Sequence, residues 1–350
     1  MENNLKSWNG DHYFLNLRFL LIVCVFAGNA IEPLISRMPG LHGLYVWIFT
    51  FHMPLFVFVT GYFAKPNLHG PAGRKVLAQI ALQYVIFQSL YSLLDAAVFK
   101  VQNIHHSFFA PYLLLWFLAS HFLWRIFTAA LLKWKKSAQL AASLLLGVAV
   151  GYLAVDGTWF SLSRTFVYLP FFVAGYHFRA EWIVKVFTPK IRLLAGAASI
   201  LVLAAAYLWG ERLPLGWLYG SMTYSQLGSY LWYDGLGRLG MYALQLVSSA
   251  AFLSFVPLFT GRLTDYGRRT LYVFLLHGFI VRLAAASPLY ASIHGAWGVL
   301  ALLVSAVLLT VMLCQPAVRK MASPVIEPPV DWMLAAGRKT RTSAEIRISK

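Results

Sequence analysis

Residues 41–64 read LHGLYVWIFTFHMPLFVFVTGYFA. A helix of roughly 20 apolar residues crosses a bilayer core. This run is long enough and holds no Asp, Glu, Lys or Arg. Its one ionisable side chain near mid-depth is His52. Nine more stretches have the same character: 14–35, 76–99, 108–132, 138–155, 163–179, 193–209, 236–259, 270–287 and 293–316, of which the three from 138 to 209 are short. The pattern predicts an all-α fold, a polytopic membrane helix bundle of about ten transmembrane helices. The expected organisation is a cytoplasmic segment 1–13, a transmembrane domain 14–316, and a basic tail 317–350, expected to be disordered or to lie on the membrane surface.

Composition agrees. The 350 residues are 59% hydrophobic, 16% aromatic and 12% charged, with a mean hydropathy of +0.66. Soluble domains carry about twice that share of charge, and disordered chains need low hydrophobicity. The two cysteines, Cys24 and Cys314, sit in apolar runs and read as small hydrophobes rather than a disulfide framework. The first stretch also has features of a signal peptide, with Lys6 upstream and small residues from Ala27 to Ala30. Arg18 and the nine later stretches favour a retained span.

The net charge of +17 would point to nucleic acid in a soluble chain. Its placement gives another meaning. Lys65, Arg74 and Lys75 follow the second stretch; Lys133, Lys135 and Lys136 the fourth; Arg179, Lys185, Lys190 and Arg192 the sixth; Arg262, Arg268 and Arg269 the eighth. The alternate loops hold only Arg37, Lys100 and Arg212. Basic residues stay on the cytoplasmic side, so both termini are expected there. No nucleic-acid partner is expected. The longest external loop, 210–235, carries Tyr219, Tyr224, Tyr230, Trp232 and Tyr233. It reads as an interfacial aromatic belt or as a surface for a sugar or lipid head group.

Ionisable groups inside a span are costly and mark function by default. Arg18, Arg125, Arg164, Arg238 and Arg282 fall within or at the ends of spans, as do His52, His121 and His277. Asp95 is the acid placed inside a span. Cationic and imidazole groups suit anionic or carbonyl-bearing ligands. Arg18 and Asn29 share one helix face, roughly 16 Å apart along the axis. Arg164 shares a face with Tyr168, Arg238 with Gln245, and Gln79 with Gln83. For Arg125, Arg282 and His121 the plainer reading, an interhelical hydrogen bond or a snorkelling end, is favoured. No Ser-His-Asp set, metal-ligand cluster or phosphate-cradling glycine loop is visible, so no metal is expected.

The segment from Phe51 to Gly61, Phe-His-Met-Pro-Leu-Phe-Val-Phe-Val-Thr-Gly, resembles the second-span motif of the membrane acyltransferase 3 family, the fucose 4-O-acetylase-like integral membrane O-acetyltransferases. Four more segments match in order: Asn16-Leu17-Arg18 running to Gly28-Asn29, Leu115 to Leu118, Arg164 to Phe172 with Gly175, and Gly267 to His277. The likeness covers about 11–315. It implies transfer of an acetyl or other short acyl group from cytoplasmic acyl-CoA to a hydroxyl of a cell-envelope or lipid-linked carbohydrate. The setting is a multi-pass protein of a bacterial plasma membrane. Acyl-CoA would be a co-substrate rather than a bound cofactor. The implied partners are acyl-CoA, a carbohydrate or glycolipid acceptor, and membrane lipid.

Arg18, Arg74 and Lys75 would bind the donor's phosphates. Trp116, Tyr168 and Arg238 would contact substrate. His52, His277, Arg164 and Asn29 would form the catalytic set. Asn29 stands where the family has a first-span histidine, and an amide is no general base; His52 or His277 would then serve. The segment after Lys75 also lacks the basic, proline-containing start of the third span that many relatives show. Two other readings stay open: a silent relative acting as a membrane partner, and a transporter or flippase for an acylated or glycan-lipid substrate.

Overall fold

A computed structural model of the chain describes residues 9–100, 107–228 and 231–335. Lys6, Tyr230 and the tail beyond 335 lie outside the described residues. Among the described residues all regular structure is helical. The main helices are α1 (Gly10–Ile31), α2 (Pro39–Ala64), α3 (Gly70–Leu94), α4 (Trp116–Leu131), α5 (Lys136–Ala149), α6 (Leu162–His177), α7 (Pro189–Trp209), α8 (Asp234–Phe255), α9 (Thr270–Ala286), α10 (Gly295–Leu313) and α11 (Pro316–Ile326).

Each of the ten apolar stretches therefore carries a helix. Seven of these, α1 to α4, α7, α8 and α10 with their flanking turns, are long and apolar enough to cross a membrane. The chain is a membrane protein on that basis. The other three, α5, α6 and α9, have 14, 16 and 17 residues. At 1.5 Å per residue they reach about 21–26 Å, short of a hydrocarbon core of about 30 Å. The start of α6 has a local cause: Phe160 and Ser161 both have positive φ, at 47° and 51°, and a helix cannot run through left-handed residues.

Helix α2 is the hub, packing on α1, α6, α7 and α8, and α6 is its closest neighbour. Two glycines explain that approach. A Cβ at Gly61 would overlap the Phe172 carbonyl, and one at Gly175 the Phe58 carbonyl. In lipid no hydrophobic force drives helices together, so small residues that let backbones touch decide where they cross. This reciprocal contact sets the register of His52 on α2 against Arg164 on α6. Side-chain hydrogen bonds tie the other helices in. Trp124 Nε1 donates to the Thr165 carbonyl at 2.7 Å, and Tyr242 Oη donates to the Val167 carbonyl at 2.7 Å. Arg282 pairs with buried Asp95 at 3.1 Å.

The tail departs from the expectation of disorder over its first part. Helix α11 is amphipathic, with Arg319, Lys320 and Met321 exposed and Ile326 buried. Gln83 Nε2 on α3 donates to the Ile326 carbonyl at 2.7 Å. Lys75 pairs with Asp331 at 2.8 Å. Burial of Ile326 and Val330 gives this segment the apolar anchor that the basic composition concealed.

Candidate functional site

A chamber of about 490 Å³ lies among α1, α2, α4, α6 and α9. On α2 the residues facing it are Tyr45, Phe49, His52, Met53 and Phe56. Their spacing of three and four residues is one face of a helix, so one stripe of α2 forms a wall. Helix α1 contributes Val25 and Asn29, with Glu32 and Pro33 just beyond it. Toward the Arg18 end of the bundle the lining is apolar: Val25, Met53, Phe56, Phe117 and Phe274. Toward the Glu32 end it is polar: Glu32, Tyr45, Arg164, Tyr219 and Arg282.

His52 is 3% exposed. Its Nδ1 lies 2.8 Å from the Ile48 carbonyl, one turn back. A carbonyl only accepts, so Nδ1 carries the proton and Nε2 keeps its lone pair. That nitrogen has no hydrogen-bond partner among the described residues. Phe49 packs edge-on against the ring at 4.3 Å and limits its tilt.

His277 is fully buried and held in the same way, with Nδ1 at 2.9 Å from the Val273 carbonyl and 2.8 Å from the Phe274 carbonyl. Its Nε2 is occupied. Asn29 Nδ2 stands 2.9 Å away, so the amide donates to the ring and its orientation is fixed. Asn29 lines the chamber and His277 stands behind it. The lone pair of His277 Nε2 is thus engaged, and the ring braces the Asn29 amide.

Arg164, in the first turn of α6, lies over the Trp116 ring at 5.0 Å. Trp116 in turn stacks on Tyr168 at 5.8 Å, and Tyr168 Oη donates to the Leu218 carbonyl at 2.7 Å. The guanidinium forms no hydrogen bond or ion pair with a described residue, so its N–H groups are free for a ligand. Tyr45 and Tyr219 share a hydrogen bond at 2.7 Å, and the Glu32 carboxylate lies near enough to act on the Tyr45 phenol. Burial pushes the Tyr219 phenol up to about 12, so it stays a neutral O–H donor.

The chamber thus gathers Asn29, His52, Arg164, Trp116 and Tyr168, with His277 one contact behind. It does not gather the others. Arg238 is buried under the loop before α8, where it donates to the Trp217 carbonyl at 2.7 Å and lies over that indole at 4.9 Å. Arg18 is beyond the apolar end, over Phe63 at 5.4 Å, and shares its field with His121 and Arg125. Arg74 and Lys75 are exposed on the second turn of α3. Arg125 bonds the Asn67 carbonyl and side chain, the plain interhelical role expected of it. Arg282 combines its ion pair with a place in the chamber wall.

Sequence reading missed Glu32 and Tyr45, and it placed Tyr219 on an external loop surface rather than in the chamber wall. Tyr45 was findable, since it lies seven residues before His52 on the same face. Among the described residues no group of three or more His, Cys, Asp or Glu is placed to hold a metal ion. No family model, curated protein or solved structure matches this chain.

Proposed function

We propose that the chain is an integral membrane O-acyltransferase that moves an acetyl or other short acyl group from acyl-CoA to a carbohydrate hydroxyl. In this reading ten helices span the cell membrane, the three shorter ones included, and both termini and the Arg18 end face the cytoplasm. The observation that carries it is the free Nε2 lone pair of His52 in a chamber that also holds the unpartnered guanidinium of Arg164.

Acyl-CoA arrives from the basic end, where Arg18 and Arg74 attract its phosphates. Lys75 joins them by exchanging Asp331. The thioester passes the apolar collar of Val25, Phe56 and Phe117, which excludes water and so guards against hydrolysis. The acceptor hydroxyl enters from the Arg164 side. His52 Nε2 takes its proton as the oxygen attacks the thioester carbonyl. The oxyanion that forms meets N–H donors of Arg164 and the second amide hydrogen of Asn29, fixed in place before the reaction. Collapse of the tetrahedral centre breaks the carbon–sulfur bond. The departing thiolate takes the proton from the His52 imidazolium, leaving free CoA, the ester and neutral His52.

The test is mass spectrometry of envelope glycans from a deletion strain and its complemented partner. The expected result is a mass difference of one acyl group, accompanied by coenzyme A release in membranes. Identical glycans and no release would end the reading.

A further inference from the structure

A second cavity, of about 390 Å³, lies at the Arg164 end of the chamber. Its lining includes Asp156, Thr158, Ser221, Met222 and Gln226, and it shares one residue with the chamber: Arg164. Two loops build it, 156–161 before α6 and 220–226 before α8. They are pinned to each other and to the bundle. Gly157 N–H donates to the Ser221 carbonyl at 2.7 Å, and Tyr224 N–H to the Gly151 carbonyl at 2.8 Å. Ser163 Oγ donates to the Gly220 carbonyl at 2.8 Å, and Tyr224 Oη to the Val148 carbonyl at 2.8 Å. Both walls are therefore held to the frame that positions Arg164.

The polar groups alternate in kind. Asp156 Oδ1 accepts from Thr158 N–H at 2.9 Å. That bond, helped by the Thr158 and Gln226 side chains, holds the carboxyl below its usual range, so it is ionised and only accepts. Gln226 Oε1 accepts from Thr223 N–H at 3.0 Å, which leaves its Nε2 hydrogens as donors. Ser221 and Thr158 hydroxyls can do either. The lining holds one carboxylate, Asp156, and one guanidinium, Arg164, so the set carries no net charge. An acidic ligand would meet Asp156, whereas paired hydroxyls find a donor and an acceptor at every step. Beside Thr158, Trp159 is 62% exposed and lies 6.1 Å from the half-exposed ring of Phe109, a face suited to the apolar side of a sugar ring.

We infer that this cavity is the docking site of the acceptor, and that the acceptor is a neutral, hydroxyl-rich saccharide handed past Arg164 into the chamber. The inference rests on the acyl-transfer reading for its direction, but the ligand chemistry comes from the cavity itself. A hydroxyl held on Arg164 from this side is one side chain away from the chamber that holds His52.

The test uses the full chain in intact cells of the deletion strain, with Cys24→Ala and Cys314→Ala as background and Ser221→Cys as the reporter. The charged, membrane-impermeant reagent sulfonatoethyl methanethiosulfonate fills the cavity by labelling that thiol. Each preparation is compared with its own unlabelled half. Labelling is expected to proceed from outside and to lower ester-linked acyl groups on the envelope glycan by about tenfold or more. Acetyl-CoA binding by the same membranes is expected to stay unchanged. Complete labelling with unchanged acylation overturns the proposal. So does equal loss of donor binding, which would give the cavity to the donor. Met222→Cys repeats the measurement if Ser221→Cys does not fold.

If the unlabelled protein acylates nothing, the transferase reading fails and the labelling rate alone decides the ligand. A purified neutral envelope polysaccharide that slows labelling about tenfold sustains the site. No slowing, or equal slowing by phosphatidylglycerol vesicles, overturns it in favour of an ordinary interfacial surface.

Discussion

His52 and His277 occupy matching settings. Each is buried on an apolar helix, and each gives its Nδ1 proton to a carbonyl one turn back on its own helix. The clamp fixes tautomer and ring direction in both. They differ at the other nitrogen. Around His52 the ring packs on Phe49 and Nε2 is left open. Around His277 the amide of Asn29 has closed it. The same local device thus leaves an open lone pair in one place and an engaged one in the other. What separates them is a single residue on α1.

The largest effect that would break this contrast is at His52. His52→Ala is expected to lower coenzyme A release with acceptor present by ~10²–10⁴-fold, with the protein still folded by size-exclusion chromatography. An unchanged rate would take His52 out of the chemistry. Arg164→Ala is expected to cost slightly less, ~10²–10³-fold in kcat, and Arg164→Lys to recover part of it. Lysine keeps the charge but loses the planar fork and its stacking on Trp116. If Lys restored everything, charge alone would be at work and the geometry over the indole would be incidental.

How far the sequence reveals this contrast depends on how local each contact is. The ten helical stretches, His52 and Arg164 are visible because apolar length and a stranded ionisable group are one-dimensional signals. Tyr45, Phe49 and Phe56 follow from helical spacing once His52 is chosen. The closing of His277 by Asn29 is not legible, because their contact spans 248 positions. Only the packing of α1 on α9 brings them together. Tyr219 reaches Tyr45 across 174 positions from a short helix in a loop, with no periodic pattern to announce it. Arg238 misled for the opposite reason. Its helical face was read correctly, with Gln245 buried on the same side, but that face packs under Trp217 and not on the chamber. Glu32 escaped because it lies at the end of an apolar run, where an acid reads as a boundary.

His277→Ala sharpens the contrast at a smaller scale. If His277 acts through Asn29, its loss frees the amide to rotate. The expected fall in kcat is about tenfold, or about 1.4 kcal/mol, with little change in KM for either substrate. His277→Gln retains an acceptor facing Asn29 and is expected to recover most of the rate. A loss as deep as that of His52→Ala, unrescued by Gln, would make His277 the base and reverse the assignment.

Asn29→His is expected to do least. An imidazole at 29 still has one N–H to give to His277 Nε2, so the pair survives with its donor and acceptor roles unchanged. The remaining ring nitrogen would face the chamber as an extra lone pair, and one N–H donor to the oxyanion would be lost. With His52 already supplying the base, these changes oppose each other, and kcat is expected to stay within about threefold of the native chain. A rise of about 100-fold would mean that the chamber lacks a base as it stands. His52 would then be a structural histidine, and the open nitrogen that distinguishes it from His277 would have no chemical consequence. Measuring the same variant in the His52→Ala background separates the cases. A second base restores turnover there only if proton transfer was what His52 supplied.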